Sequence, residues 1–109
     1  MANVDASIIE IVQKYLACLF ENGIVVNTAY LFGSHARGAE DKWSDIDIAV
    51  IASNISDDRL EERVRFAKLS SAIDSRIEPV PFRPDTFVDE DPLVWEIKKE
   101  GIIITNRPQ

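Results

Sequence analysis

Apolar and polar residues follow two different periods along the chain, and these periods predict alternating helices and strands. Apolar residues that recur every three to four positions indicate a helix with one side facing a core. Short apolar runs bounded by glycine, proline or polar clusters favour strands. The predicted helices cover 7–21, 56–74 and 92–100, and the predicted strands cover 28–33, 45–52, 76–82 and 102–105.

The order of these elements predicts the fold class. With a short helical turn expected in the polar stretch 34–43, the chain follows the order α-β-(α)-β-α-β-α-β. This order predicts a small α/β (α+β) domain in which helices pack on one mixed β-sheet. The strand at 76–82 contains Pro79 and Pro81, which cannot donate ladder hydrogen bonds, so we expect it at a sheet edge.

Particular residues predict where the helices begin and which side they bury. Ser7 and Glu10 have the spacing of a capping box at the start of the first helix. Pro92 suits the first position of the last helix. In the middle helix, an apolar set at helical spacing is expected to face the core: Leu60, Val64, Phe66, Ala67, Leu69 and Ile73.

Length and composition predict a single domain over residues 1–109. Of the 109 residues, 46% are hydrophobic and 28% are charged, which is enough apolar surface for one core. Cys18 is the single cysteine, so we expect neither a disulfide framework nor a thiolate metal site. The sequence has no signal-peptide pattern and no apolar run that could span a bilayer, so we expect a cytoplasmic protein without membrane association.

The net charge of the chain limits its partners. Twelve Lys and Arg residues against nineteen Asp and Glu residues give a net charge of −7 at pH 7, and neither half of the chain is basic. Tight binding to nucleic-acid phosphates requires a basic surface, so we expect no direct nucleic acid binding. A basic partner protein, or metal ions that neutralise carboxylates, suits this charge better.

Two aspartates lie close together in the strand predicted at 45–52. Asp45 and Asp47 are two positions apart, so they share one face of the strand with backbones roughly 6.6 Å apart. Two ionised carboxylates at this spacing repel each other and lose solvation if the face is covered. Divalent cations remove this penalty, and hard oxygen ligands favour Mg²⁺ or Mn²⁺. The pair therefore predicts a metal site, and the alternative is a strand end that simply emerges into solvent.

A third carboxylate is expected from the neighbouring extended segment. Glu78 is the candidate because it lies between the apolar residues Ile77 and Val80. Two metal ions roughly 3.5–4 Å apart can be bridged by carboxylates that converge from such positions. Asp45, Asp47 and Glu78 are therefore the predicted metal ligands and catalytic residues.

The segment 33–38 is the candidate phosphate-binding loop. Gly33 lets the backbone turn sharply and approach a ligand, and the Ser34 hydroxyl with the following amides can hold phosphate oxygens. Arg37 adds a guanidinium for phosphate, with a surface ion pair as the equal alternative, and Gly38 adds a second flexible point. His35, the sole histidine, is expected to be exposed rather than catalytic.

The combination of "GSHARG" with "SDIDIAV" resembles the signature of the DNA polymerase beta-like nucleotidyltransferases, and in particular their minimal nucleotidyltransferase (MNT) group. The resemblance covers most of residues 25–82. It implies the polymerase beta-like fold. It also implies that Asp45, Asp47 and Glu78 hold the metal, although the third carboxylate of this superfamily is more often aspartate. Gly33, Ser34, Arg37 and Gly38 fall on the nucleotide-binding part of the motif.

The resemblance also implies an activity, its cofactors and a partner. An enzyme of this group transfers a nucleoside monophosphate, here expected to be AMP from ATP, to an acceptor hydroxyl with two Mg²⁺ ions. Mn²⁺ and other nucleoside triphosphates are alternatives. MNT proteins are commonly paired with a HEPN-type toxin and act as its antitoxin. The resemblance therefore implies a protein adenylyltransferase that modifies a HEPN partner.

Two other hypotheses stay open at this stage. In the first, the chain is a non-catalytic antitoxin that neutralises its partner by docking, which requires an exposed apolar surface such as a stripe with Trp95 and Ile97. In the second, it is a small-molecule nucleotidyltransferase that gains its acceptor pocket as a homo-oligomer.

Overall fold

Helices and strands alternate along the chain in the computed structural model, which describes residues 4–38 and 44–104. The elements are α1 (Ala6–Glu21), β1 (Val26–Phe32), α2 (Ser34–Arg37), β2 (Ile46–Ala52), α3 (Arg59–Ser71), β3 (Ile77–Phe82), α4 (Pro92–Glu100) and β4 (Ile102–Ile103). Their order is the predicted one, and the predicted fold class is confirmed. Thr105, predicted to end the last strand, lies outside the described residues.

The strands form one mixed sheet with the order β3-β2-β1-β4. β1 is antiparallel to β2 and to β4, whereas β2 and β3 are parallel. The parallel pair is joined by α3, since parallel neighbours need a crossover connection. β3 lies at one edge of the sheet, so the edge position predicted from Pro79 and Pro81 is confirmed.

The helices cover both faces of the sheet. On one face, α1 and α3 enclose a core that includes Val12, Leu19, Ile48 and Phe66. On the other face, α4 packs over a second cluster: Phe32, Ala49, Ile51, Phe82, Val94 and Ile97. Because side chains alternate along a strand, Asp47 shares the α4 face with Ala49 and Ile51.

Helix α1 begins one residue before the predicted capping box. Asp5 is the N-cap, and its carboxylate accepts hydrogen bonds from the backbone N–H of Ser7 at 2.9 Å and from the Ser7 hydroxyl at 2.9 Å. The prediction that Ser7 caps the helix is therefore wrong, because an aspartate two positions earlier supplies the acceptor. Helix α4 begins at Pro92 as predicted, with Asp91 as its N-cap.

The orientation of α3 differs from the prediction. Phe66 is fully buried, but Leu60 is 74% exposed, Val64 is 47% exposed and Ala67 is exposed as well. Phe66 is fixed against α1, since the Tyr15 hydroxyl donates a hydrogen bond to the Phe66 carbonyl at 3.0 Å. Successive helical residues are about 100° apart, so burial of Phe66 turns the other three residues outward.

The inner side of α3 also holds a charged residue. Glu62 is 3% exposed, and its carboxylate pairs with the Arg65 guanidinium at 3.2 Å. Leu69 on this side and Ile73, which follows the end of α3, pack against the core, as predicted. In the described part of the chain, no helix has both the length and the apolarity to cross a membrane.

Candidate active site

The candidate carboxylates lie at one end of the two parallel strands. Asp45 directly precedes β2, Asp47 is the second residue of β2, and Glu78 is the second residue of β3. The register pairs Asp47 with Glu78, so the two residues are immediate neighbours across the sheet. Adjacent strands lie about 4.8 Å apart, which brings both side chains to the same patch of the α4 face.

The antiparallel strand β1 carries the glycine-serine loop to this same end of the sheet. Phe32, the last residue of β1, pairs with Asp47, and Gly33 and Ser34 follow at once. Ser34 is the first residue of the short helix α2, and the N–H of Arg37 donates to the Gly33 carbonyl at 3.2 Å. The topology therefore joins the predicted phosphate loop to the predicted metal ligands.

Two glycines shape the loop. Gly33 has φ 75° and ψ −148°, a conformation that is essentially restricted to glycine. A Cβ atom at this position would overlap the Oδ2 atom of Asp47. Gly38 ends α2 in the left-handed conformation, with φ 71° and ψ 23°, and its N–H donates to the Ser34 carbonyl. The loop can therefore approach β2 this closely only because glycine at position 33 has no side chain.

The electrostatics of the site centre on Asp47. Burial raises the pKa of its carboxyl, and the negative charges of Asp45 and Glu78 raise this pKa further. The positive groups of His35 and Arg37 act in the opposite direction. Asp45, Glu78 and Arg37 are exposed, whereas Asp47 is half-buried. The site therefore contains a carboxylate whose negative charge is disfavoured until a cation arrives.

The donor chemistry of this end of the sheet fits a divalent cation. Asp45, Asp47 and Glu78 offer hard carboxylate oxygens of the kind that Mg²⁺ and Mn²⁺ prefer, and a cation relieves the repulsion at Asp47. Within residues 4–38 and 44–104, however, no three His, Cys, Asp or Glu side chains are placed so that they could hold a metal ion together. Phosphate and water oxygens would have to supply further ligands, as they do in Mg²⁺ sites with nucleotides.

His35 is the residue of this site whose predicted exposure is wrong. It is only 3% exposed, and its Nε2 atom has no hydrogen-bond partner within the described residues. His35 lowers the pKa of both Asp47 and Asp5, so it lies near the candidate site and near the start of α1. The prediction of exposure failed because α2 folds against β1 and β2, which a polar loop sequence does not reveal.

Comparison with known proteins identifies the family of this fold and site. Residues 8–109 match the family model described as "Polymerase beta, Nucleotidyltransferase". The chain belongs to the polymerase beta nucleotidyltransferase family. The resemblance carried by "GSHARG" and "SDIDIAV" is thereby confirmed, and so is the predicted nucleotidyltransferase class.

One relative of this nucleotidyltransferase is a curated protein. The chain is 38% identical over 74 residues to the protein adenylyltransferase MntA of Shewanella oneidensis, an alignment that covers 65% of this chain and 50% of that protein. The chain thus spans about half the length of this curated relative.

Solved structures of toxin-antitoxin complexes are similar to this nucleotidyltransferase as well. A mutant MntA-HpeT toxin-antitoxin structure has 32% identity and a TM-score of 0.61, with 88% of this chain and 72% of that chain covered. A toxin-antitoxin structure with AMP-PNP has 30% identity and a TM-score of 0.64, with 89% and 75% covered. These similarities agree with the predicted MNT group.

Proposed function

We propose that this nucleotidyltransferase transfers AMP from ATP to a hydroxyl group of a HEPN-type toxin and thereby acts as an antitoxin in the cytoplasm. The observation that carries the proposal is the position of Asp47, which lies between Glu78 on the next strand and Gly33 at the start of the phosphate loop. The similarity to the protein adenylyltransferase MntA supports AMP as the transferred group. The similarity to toxin-antitoxin structures supports a toxin partner.

The metal-binding role falls to the carboxylates. Asp45, Asp47 and Glu78 would hold two Mg²⁺ ions, or Mn²⁺, which when bound neutralise phosphate charge and lower the pKa of the acceptor hydroxyl. Burial and the charges of Asp45 and Glu78 raise the pKa of the Asp47 carboxyl, and a bound cation would lower this pKa by stabilising the carboxylate.

The loop residues would bind and orient the triphosphate. The Ser34 hydroxyl and the amides that follow Gly33 donate hydrogen bonds to the β- and γ-phosphates, and the exposed Arg37 guanidinium adds charge-assisted ones. Gly38 allows the backbone to turn sharply at the end of α2. The acceptor oxygen then attacks the α-phosphorus and loses its proton, while the bond to pyrophosphate breaks.

The partner is expected to present the acceptor hydroxyl. The net charge of −7 suits a basic RNA-cleaving protein. We propose that residues 1–109 form one domain with its site within 25–82.

Transfer of labelled AMP tests this function. The purified chain is incubated with a candidate HEPN-type partner protein, ATP labelled at the α-phosphate and Mg²⁺. We expect label on the partner, and we expect its loss in the Asp45→Asn, Asp47→Asn double variant and on addition of a chelator. Asp57→Asn removes an exposed aspartate at the other end of the sheet and serves as the control that retains transfer.

Absence of label transfer would favour the non-catalytic hypothesis. If the wild-type chain binds and silences the partner but transfers no label with any nucleotide or metal, the non-catalytic antitoxin replaces this proposal. The apolar stripe first considered for such docking is not formed by Trp95 and Ile97, because Ile97 is fully buried while Trp95 is 53% exposed.

A further inference from the structure

His35 is a buried polar residue that the proposed function leaves without a role. Its side chain is 3% exposed, and its Nε2 atom has no hydrogen-bond partner within residues 4–38 and 44–104. Burial of a polar atom without a partner costs free energy, and most buried side-chain polar atoms have one. The unpaired Nε2 atom therefore needs a physical reason.

Helix α2 carries His35 at the end of the sheet where the candidate carboxylates lie. This helix packs on β1 and β2. It begins directly after Gly33, which leaves no room for a methyl group beside the Oδ2 atom of Asp47. His35 lowers the pKa of two carboxyls, those of Asp47 and Asp5, so both lie near its ring. These two carboxylates are the candidate partners of the Nε2 atom.

The surroundings of the two carboxylates favour Asp47. Asp5 is exposed, and one of its oxygens already accepts hydrogen bonds from the N–H and the hydroxyl of Ser7, both at 2.9 Å. Asp47 is half-buried, so water competes less for its oxygens. Arg37, the other positive group near Asp47, is exposed and is proposed to bind phosphate. Of these two positive groups, His35 is the one that lies within the protein.

A metal-binding carboxylate needs a hydrogen bond of the kind that His35 can donate. When one carboxylate oxygen binds a cation, a hydrogen bond to the other oxygen fixes the orientation of the group. Loss of such a bond typically weakens metal binding roughly 10- to 100-fold. A neutral imidazole that carries its proton on Nε2 is a suitable donor.

We propose that His35 is a positioning residue that donates a hydrogen bond from Nε2 to the Asp47 carboxylate and thereby holds this carboxylate in the orientation that binds a divalent cation. The inference rests on the proposed function, in which Asp47 is a metal ligand. His35 contacts neither the nucleotide nor the metal ion and acts through Asp47 alone. The Nε2 atom gains its partner when Asp47 turns to bind the cation.

NMR measures the hydrogen bond in the wild-type protein, because His35 is its single histidine. The chain is labelled with ¹⁵N in histidine, and spectra at fixed pH are compared before and after addition of Mg²⁺ and AMP-PNP. We expect the ring proton on Nε2, with a resonance that moves downfield on this addition. Asp47→Ala removes the acceptor, and its Nε2 proton is expected not to move. A proton on Nδ1 alone, an unchanged wild-type resonance, or an equal shift in both proteins overturns the proposal.

Metal binding measures the consequence of the hydrogen bond. Free Mn²⁺ is followed by electron paramagnetic resonance while the metal alone is titrated into each protein. His35→Asn places an amide near the position of Nδ1 and not of Nε2, so we expect its Mn²⁺ affinity to fall about tenfold. His35→Gln places its amide nitrogen near the position of Nε2, so we expect an affinity within about threefold of wild type. Asp5→Asn is the matched control that should leave the affinity unchanged, because asparagine caps a helix as well as aspartate does.

The outcomes separate this inference from the proposed function. If the wild-type chain binds no Mn²⁺, or if Asp47→Asn binds it equally well, Asp47 is not a metal ligand and both proposals fail. If Asp47→Asn loses Mn²⁺ but His35→Asn retains it, the proposed function stands and the positioning role is overturned. An equal loss in His35→Gln and His35→Asn overturns it as well. Thermal melts establish which variants are folded, and the NMR comparison decides where a variant at position 35 is not.

Discussion

Gly33, which follows β1, and Asp47 of β2 are packed so closely that a methyl group at position 33 would overlap the Asp47 carboxylate. The loop that follows β1 is thus held against the second residue of β2. A substitution at either position therefore changes the surroundings of the other. The proposed phosphate loop and the proposed metal-binding carboxylate therefore behave as one unit.

Gly33→Ala is expected to destabilise the fold and to reduce transfer. The new methyl group strains a backbone conformation with φ 75° and also displaces the Asp47 side chain. We expect a loss of at least about 2 kcal/mol in the free energy of unfolding, because backbone strain and overpacking add. Urea denaturation measures this loss, and the labelled-AMP assay measures transfer.

Gly23→Ala is the matched control for this variant. Gly23 has φ 80°, but nothing lies within 4 Å of a Cβ atom at that position. It should therefore show the cost of backbone strain alone, about 1 kcal/mol, with transfer unchanged. An equal effect of the two substitutions on both stability and transfer would contradict the coupling between Gly33 and Asp47.

Asp47→Asn is expected to abolish transfer while it stabilises the metal-free protein at neutral pH. The pKa of Asp47 in the folded protein lies above the ordinary aspartate value of 3.8, through burial and the charges of Asp45 and Glu78. In the pH window between these two values, the folded state binds more protons than the unfolded state, so stability falls as pH rises. The introduced asparagine cannot ionise, so the Asp47→Asn variant does not lose stability as pH rises through this window. It should therefore melt at a higher temperature than wild type at pH 7 in the presence of a chelator.

Asp74→Asn is the control for which the expected change in stability at pH 7 has the opposite sign. Its side-chain hydrogen bond from Arg76 holds the pKa of Asp74 below 3.8, so this carboxylate stabilises the fold above that value and the benefit is lost as pH falls. The variant should therefore melt lower than wild type at pH 7. Thermal melts of both variants over a range of pH distinguish the two behaviours, and a destabilised Asp47→Asn would refute the assignment.

Glu78→Gln is expected to reduce transfer without unfolding the protein. Glu78 is exposed on the edge strand β3, so its substitution leaves the core intact, and it removes one of the charges that act on Asp47. We expect slower AMP transfer and a higher Mg²⁺ requirement at an unchanged melting temperature. Glu90→Gln alters an exposed glutamate in a distant loop and should leave both quantities unchanged. Undiminished transfer by Glu78→Gln would exclude it as a metal ligand.

Tyr15→Phe is expected to loosen the contact between α1 and α3. The Tyr15 hydroxyl is buried and donates to the Phe66 carbonyl at 3.0 Å. Loss of this hydrogen bond should lower the free energy of unfolding by about 1 kcal/mol. Tyr30→Phe serves as the comparison, since Tyr30 is half-buried and packs through its ring against Phe87 at a centroid distance of 5.6 Å. Urea denaturation of the two variants measures the difference, and equal losses would contradict this role of Tyr15.

Much of the site was predictable because its parts are local in sequence. The Asp45 and Asp47 spacing on a strand, the Gly33 and Ser34 turn after a strand, and the family resemblance of the combined motif need no long-range information. Glu78 was predictable as a neighbour because it lies near the start of the extended segment that follows β2, and two neighbouring parallel strands begin at the same end of the sheet. Its direct pairing with Asp47 required the register, which depends on how both strands pack on the core.

Other features followed from packing that no local pattern contains. Helix α3 has apolar residues on two sides, so the sequence alone could not select between Phe66 and the row of Leu60 and Val64. The bulk of Phe66 and the hydrogen bond from Tyr15 decide the choice in the folded protein. His35 likewise has a polar sequence context and becomes buried only when α2 packs on the sheet.

The sequence by itself determined the order of helices and strands, the fold class and the residue types of the site, because periodicity, glycine and charge act over a few neighbouring residues. Only the tertiary structure decided which side of α3 faces the core, where His35 lies, and that Gly33 packs on the carboxylate of Asp47. These three outcomes depend on contacts between residues far apart in the chain, and such contacts exist only once the sheet has assembled.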